Sequence, residues 1–369
     1  MQAHAATLSS AVAPDTLLPL AIGIAAPVLA LLVAASVVWL LRRNRLLLLR
    51  ILDQPNERSL HQAPVPRTGG VGVLLGAAGG LALTLPWLLA PAAGWSVASL
   101  VLATALLAGV SLLDDHHHVP ARYRLAAQLT AAALALVAGV AWRALGLPGL
   151  GGLLLPGWLA PALTLVLIVW IINLYNFMDG MDGLAGGMAV IGFGALAVLG
   201  MLAGAADYAL VAAVIAAAAG GFLVHNLPRA GIFLGDVGST VLGFWAAVLL
   251  LWGAGRGLFP LWLGLLVFSP FLVDATWTLL RRLARGAPVW QAHREHHYQR
   301  LVLAGWSTRR TLFWAYVLMG AAAASAIGAR DLTAPEQWLL LAGWAGLYGL
   351  VHLRVDLVER GQSAAPDRP

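Results

Sequence analysis

The stretch Asn173-Leu-Tyr-Asn176-Phe-Met-Asp179-Gly180-Met-Asp182-Gly183 packs two amides, two carboxylates and two glycines together. Aspartates can hold a hard cation or accept hydrogen bonds from a ligand. Glycine lets backbone approach a ligand closely and take positive φ. A polar turn would also use Asp-Gly, but two such pairs beside two Asn exceed a turn's needs. Asp114-Asp115 is the second candidate. Adjacent carboxylates repel, and a cation between them or a shared proton relieves the repulsion. Metal binding or proton transfer is the chemistry this suggests, with a helix cap as the plain alternative. His116, His117 and His118 follow and read as a solvated run.

Three further stretches bear the same kinds of group. Phe233-Leu-Gly235-Asp236-Val-Gly238-Ser239 opens a predicted helix. Free amides and the dipole favour anions there, and Asp236 could hold Mg²⁺ beside a phosphate. An ordinary capping residue is the competing reading. Asn226 lies in the loop before it. His293-Arg294-Glu-His296-His297-Tyr298-Gln-Arg300 could clamp phosphates or belong to a solvated basic loop. Arg among the histidines disfavours zinc. Asp53-Gln-Pro55-Asn56-Glu-Arg58-Ser59-Leu-His61, followed by Pro64, Pro66 and Arg67, is an irregular loop whose Arg58, His61 and Arg67 would attract phosphate. Asp274 sits alone in an apolar run and either faces a cavity or pairs with an Arg.

The elements that must position these groups are membrane helices. The 369 residues are 60% hydrophobic and 10% charged, against about 25% charged in soluble domains. The apolar runs are continuous, which excludes the alternation of a transmembrane barrel. Eleven runs approach the roughly 20 residues a span needs. They cover about 17–41, 69–90, 97–113, 124–142, 158–175, 184–204, 207–225, 238–254, 258–280, 311–328 and 337–353. The first is too long for a signal peptide and no basic residue precedes it, so it reads as an anchor. There is no Cys, and every one of the 22 basic residues is Arg. The arginines flank the spans, so the charge of +6 suits a bilayer and not a nucleic acid.

The expected fold is therefore all-α and polytopic, with residues 1–355 as one domain and 356–369 as a polar cytoplasmic tail. Arg-rich loops follow the odd-numbered spans, which predicts a periplasmic N-terminus, a cytoplasmic C-terminus and all five polar stretches on the cytoplasmic side. Eight of the sixteen acidic residues lie in or beside those stretches. No internal repeat of the transporter kind is visible.

The five stretches, in this order and spacing, resemble the polyprenyl-phosphate N-acetylhexosamine-1-phosphate transferases, of glycosyltransferase family 4 type. The superfamily includes the phospho-N-acetylmuramoyl-pentapeptide translocase. The resemblance covers about residues 17–355. Asp-Gln-Pro-Asn-Glu-Arg-Ser-Leu-His looks like the branch using UDP-N-acetylhexosamines, and Tyr-Gln-Arg-Leu like the subgroup that starts O-antigen chains. Pro66-Arg67-Thr68-Gly69-Gly70, and the separation of His293 from His296-His297, depart from the muramoyl-pentapeptide pattern.

The resemblance implies a multi-pass enzyme of the bacterial inner membrane using a UDP-N-acetylhexosamine and undecaprenyl phosphate among membrane lipids, with Mg²⁺ (or Mn²⁺ in its place) and room for a homodimer. It makes Asp236 the principal metal ligand, with Asn176 or Asp179 nearby. Asp114 and Asp115 would serve the lipid-phosphate nucleophile, Asp179 standing with them as catalytic. Asp182 and Asn226 would contact nucleotide and sugar, while His296, His297 and Arg300 would hold the diphosphate. Asn56, Arg58, His61, Arg67, Asn173 and His293 complete the expected substrate contacts. The expected reaction is attack of the lipid phosphate on the β-phosphorus of the UDP-sugar, releasing UMP. Two other readings compete: the muramoyl-pentapeptide enzyme, and a transporter for lipid or nucleotide sugar. A transporter needs polar residues through to the far face, where the loops are nearly bare.

Overall fold

The computed structural model describes residues 14–43, 52–53, 65–84, 97–117, 119–288 and 293–363. Asn56, Arg58 and His61 lie outside these. The helices are α1 (Pro14–Arg42), α2 (Gly69–Ala82), α3 (Val97–His117), α4 (Ala121–Val137), α5 (Leu159–Phe177), α6 (Leu184–Leu202), α7 (Ala206–Asn226), α8 (Gly235–Gly255), α9 (Leu261–Val267), α10 (Ser269–Ala284), α11 (His297–Leu303), α12 (Thr308–Gly328) and α13 (Ala334–Ser363). Among the described residues two small antiparallel pairs are also present: β1 (Leu52–Asp53) with β2 (Val65–Pro66), and the hairpin of β3 (Ala144–Leu147) with β4 (Gly151–Leu154). The protein is an all-α polytopic membrane protein.

Every predicted span coincides with a helix, but not every one has a span's length. Among the described residues, eight helices are long and apolar enough to cross a bilayer, nine if α9 and α10 count as one. Helix α2 has 14 residues and α4 has 17. The run 258–280 is broken, with α9 and α10 meeting at 82°. Pro270 lies in the first turn of α10, where the missing N–H costs nothing but a continuous helix would lose a bond. Ser269 Oγ donates to the Leu266 carbonyl at the break. A hydropathy window averages over this break. The last helix runs on to Ser363, so the boundary expected at 355 falls inside it.

Helix α8 is buried on nearly every side and packs against α2, α3 and α5. Close approach there depends on glycine: a Cβ at Gly243 would meet the Ile172 Cα at 2.9 Å. Helices α1 and α2 pack through a ladder of small residues. Gly72, Gly76 and Gly80 face Ala26, Ala30, Ala34 and Val38, and a Cβ on Gly76 would sit 2.5 Å from the Ala30 carbonyl. Small residues four apart allow such contact between membrane helices. This contact anchors the segment carrying Arg67.

Candidate active site

Four elements meet at one end of the bundle. Segment 66–70 pairs through its backbone with the segment entering α8: Phe233 N–H donates to the Pro66 carbonyl at 2.7 Å, and Gly69 and Gly70 donate to Phe233 and Leu234 at 2.9 and 2.7 Å. Gly235 then turns with φ +72°, and a Cβ there would lie 1.9 Å from the Arg67 carbonyl. Only glycine allows this crossing. The turn delivers Asp236 to the first turn of α8.

Asp114 and Asp115 end α3 but face different partners. Asp115 is fully buried and receives Arg67 Nε on Oδ1 at 2.7 Å. Its Oδ2 is buried without a hydrogen-bond partner among the described residues, and it lies against Gly235. Asp115 and Asp236 are near enough for their charges to oppose each other. Asp114 accepts the Val119 N–H at 2.7 Å and Arg124 Nη1 at 2.8 Å, closing the turn into α4. It also neighbours Asp236. Asn176, in the last turn of α5, donates through Nδ2 to Asp236 Oδ1 and Ser239 Oγ, both at 2.9 Å.

Asp114, Asn176 and Asp236 open on a cavity of about 330 Å³ between α3, α4, α5 and α8. Asp114, Asn173, Asn176, Asp236, Arg122 and Arg124 line its polar part, and Leu107, Val110 and Leu125 its apolar part. Asn173 is fixed by Gln128 across α4, at 2.8 Å. Arg122, Arg124 and Gln128 were read from the sequence only as topology markers or not at all.

The donor set can be tested for Mg²⁺. No three His, Asp or Glu side chains among the described residues form a preformed cage. Mg²⁺ does not need one, because it is commonly held by one or two carboxylates plus substrate phosphates. Asp114 and Asp236 both line the cavity, and the buried Asp115 carboxylate lies beside Asp236, so the donor set fits that requirement. Asp179 follows the end of α5, where its charge bears on Tyr175 and Tyr298.

Asp182 accepts the Ala230 N–H at 3.0 Å. Asn226 is buried, accepting the Gly183 N–H at 2.9 Å and donating to the Ile232 carbonyl at 2.8 Å. Its amide spans two loops, so it positions the site where a substrate contact was expected.

The histidine stretch adjoins the cavity through Phe177. His296 stacks on Phe177 with centroids 6.4 Å apart, and Tyr298 donates to the Phe177 carbonyl at 3.3 Å. Burial, then the charges of Asp274 and Asp179, push the Tyr298 phenol up, so it stays a donor. Asp274, on α10, holds the loop. It accepts the His297 N–H on both oxygens at 3.1 Å and lies 2.9 Å from His297 Nδ1 and 3.3 Å from His296 Nδ1. His297 Nε2 meets His352 Nδ1 of α13 at 2.7 Å.

Both ring nitrogens of His297 are therefore spent inside the protein, against the expectation that it grips diphosphate. Arg300 is likewise engaged, by Asp356 and Glu359 of α13. Partial burial works against its charge, but Glu359 and Asp356 outweigh that and hold it cationic. His296 is buried, with Nδ1 beside Asp274, whereas His293 is only partly buried. Burial, then His296 and Arg282, push His293 down to about 4, so it is neutral at pH 7. Its Nδ1 accepts the Glu295 N–H at 3.3 Å, which leaves Nε2 as a neutral donor instead of a cation.

His352 was missed in the sequence, although a titratable residue inside a span is itself a signal. It also stacks on Trp277, 4.5 Å between centroids and 14° between planes. Two substitutions separate the bond from the stack. His352→Phe keeps an aromatic surface and is expected to lower kcat/KM for nucleotide sugar about tenfold, the worth of one buried hydrogen bond. His352→Asn keeps a donor and is expected to stay near wild type. Loss in His352→Asn with His352→Phe near wild type would assign the effect to stacking alone.

Residues 97–254 match the model of glycosyl transferase family 4. The chain is 31% identical over 339 residues, 83% of its own length and 82% of the relative's, to a decaprenyl-phosphate N-acetylglucosaminephosphotransferase of Mycobacterium tuberculosis. It is 30% identical to an undecaprenyl-phosphate α-N-acetylglucosaminyl 1-phosphate transferase of Yersinia pestis, over 79% and 80% of the two chains. A probable undecaprenyl-phosphate N-acetylglucosaminyl 1-phosphate transferase of Bacillus subtilis is 26% identical over 79% of each. With two acidic spans, an amide-bearing span and a glycine-hinged loop meeting at one cavity, the chain belongs to glycosyl transferase family 4, among the polyprenyl-phosphate N-acetylhexosamine-1-phosphate transferases.

Proposed function

We propose that the protein transfers N-acetylhexosamine-1-phosphate from a UDP-sugar to undecaprenyl phosphate, releasing UMP, as the first lipid-linked step of a cell-surface polysaccharide such as O-antigen. The observation that carries this reading is the cavity itself. Its carboxylates and arginines sit beside an apolar wall, the surface a phosphate on a hydrocarbon chain requires. The relatives act, by name, on polyprenyl phosphates and N-acetylglucosamine.

An oxygen of the lipid phosphate attacks the β-phosphorus, a new P–O bond forms, and the bond to UMP breaks. Catalysis of this type is mostly positioning and charge neutralisation. Arg122 and Arg124 attract the two anions at the cavity. Asp115, kept in place by Arg67, and Asp236, kept in place by Asn176, are the residues that would hold Mg²⁺. When bound, that ion offsets the charge gathering where the phosphates meet. His293 offers a neutral ring N–H to the nucleotide diphosphate. A phosphate monoester has its second pKa near 6, so the lipid phosphate is mostly dianionic at pH 7 and attacks directly.

The cytoplasmic side of the inner membrane is the proposed location of the site. The end bearing the acids also carries Arg122, Arg124, Arg281, Arg282 and Arg285, whereas the opposite end holds Arg143, Arg256 and Arg330.

The test is incubation of purified protein with Mg²⁺, radiolabelled UDP-N-acetylhexosamines and either undecaprenyl or decaprenyl phosphate. Label entering the lipid with release of UMP is the expected result. Uptake of labelled sugar into sealed vesicles without lipid product would favour a transporter.

A further inference from the structure

The hairpin β3–β4 joins α4 to α5 at the end opposite the acids. It presents an unusual surface. Leu150 at its turn is 69% exposed, Leu153 66% and Leu154 77%, and Trp158 just beyond is 76% exposed. Leu153 and Leu154 are consecutive in β4, so they point to opposite faces of the ribbon. A protein partner would cover one face. Two apolar faces on a two-stranded ribbon, marginal by itself in water, suit an apolar solvent.

Depth gives a second, independent argument. Helix α4 starts at the acid end and has 17 residues, a rise of about 25 Å. The hydrocarbon slab is about 30 Å thick, so α4 ends before reaching its far side. Residues 138–143 cover the remaining few ångströms, so the hairpin begins at the edge of the apolar layer. Full immersion is excluded, because the outer strand edges carry backbone groups that need partners.

Indoles mark the level. Trp142 Nε1 donates to the Ala144 carbonyl at 3.0 Å, and Trp338 Nε1 of α13 donates to the Pro148 carbonyl at 3.1 Å. Trp158 completes the group. Trp is enriched where headgroups meet acyl chains. The apolar surface also continues onto the spans, with Val137, Val166 and Leu339 all well exposed.

We propose that the β3–β4 hairpin is an interfacial anchor whose leucines insert among the lipids of the leaflet opposite the catalytic end. The chain has no Cys, so Leu153→Cys and Leu154→Cys can each carry one environment-sensitive fluorophore. Both purified variants go into phosphatidylcholine–phosphatidylglycerol nanodiscs. Emission is expected to be blue-shifted at both positions. It should be quenched more by lipids with a spin label high on the acyl chain than by aqueous iodide or by a label at the chain end. Iodide access at both positions would overturn the proposal. So would protection of one face only from iodide and lipid quencher alike, with cross-linking between copies, which would make the hairpin a protein interface. The fluorescence is read without turnover, so the result stands apart from the transferase assay.

Discussion

Asp236→Asn is expected to lower the transfer rate by a factor on the order of 10³, at the upper end for loss of one preorganised electrostatic group, and to weaken its dependence on Mg²⁺. The substitution isolates charge. An amide at 236 is isosteric and can still accept from Asn176 Nδ2, which now donates to Asp236 Oδ1 at 2.9 Å. Backbone pairing between segments 66–70 and 233–234 is untouched. The melting temperature should therefore hold or rise, since one of two opposed buried carboxylates is gone. Activity and stability moving together would indicate a structural role. Near-normal activity at ordinary Mg²⁺ would remove Asp236 from the metal site and leave Asp179 as the next residue to test.

The second large effect concerns the chemistry. Direct attack by the lipid phosphate predicts no UMP from enzyme and UDP-sugar alone. A covalent route through Asp115 or Asp236 predicts one UMP per enzyme and exchange of labelled UMP back into substrate. Asp114, which lines the cavity, is placed to orient the lipid phosphate, and Asp114→Asn is expected to reduce the rate by about 10², with part of it returning as pH rises. The sign follows from the lipid phosphate, whose dianion fraction grows above about pH 6. Stoichiometric, lipid-independent UMP release by the wild-type protein would overturn direct attack.

The acids of the site were legible because of where they stand. Carboxylates at the ends of long apolar runs are costly unless they do something, which singled out Asp114, Asp115 and Asp236. Asn176 stood out by its company of Asp-Gly pairs. The arrangement of the loop 293–300 was not legible. Its histidines and Arg300 look alike in sequence as phosphate ligands. What sorts them is Asp274 before the loop and His352, Asp356 and Glu359 on the last helix, and periodicity says nothing about such distant partners. The break in the run 258–280 was not legible for a similar reason. Hydropathy registers that 258–280 is apolar but not that Pro270 begins a new helix at a steep angle.

The last helix has a mechanical consequence. With 30 residues, α13 is about 45 Å long. Near its start Trp338 holds the hairpin turn, and near its end His352, Asp356 and Glu359 hold the histidine loop. A rod fastened at both ends cannot let one end change depth without tilting or pulling the other. Bilayers that are too thick or too thin impose such tilts on spanning helices. Membrane thickness thus has a direct lever on His296 and its neighbours, and turnover measured across phospholipids of graded acyl length should pass through an optimum that His352→Phe blunts.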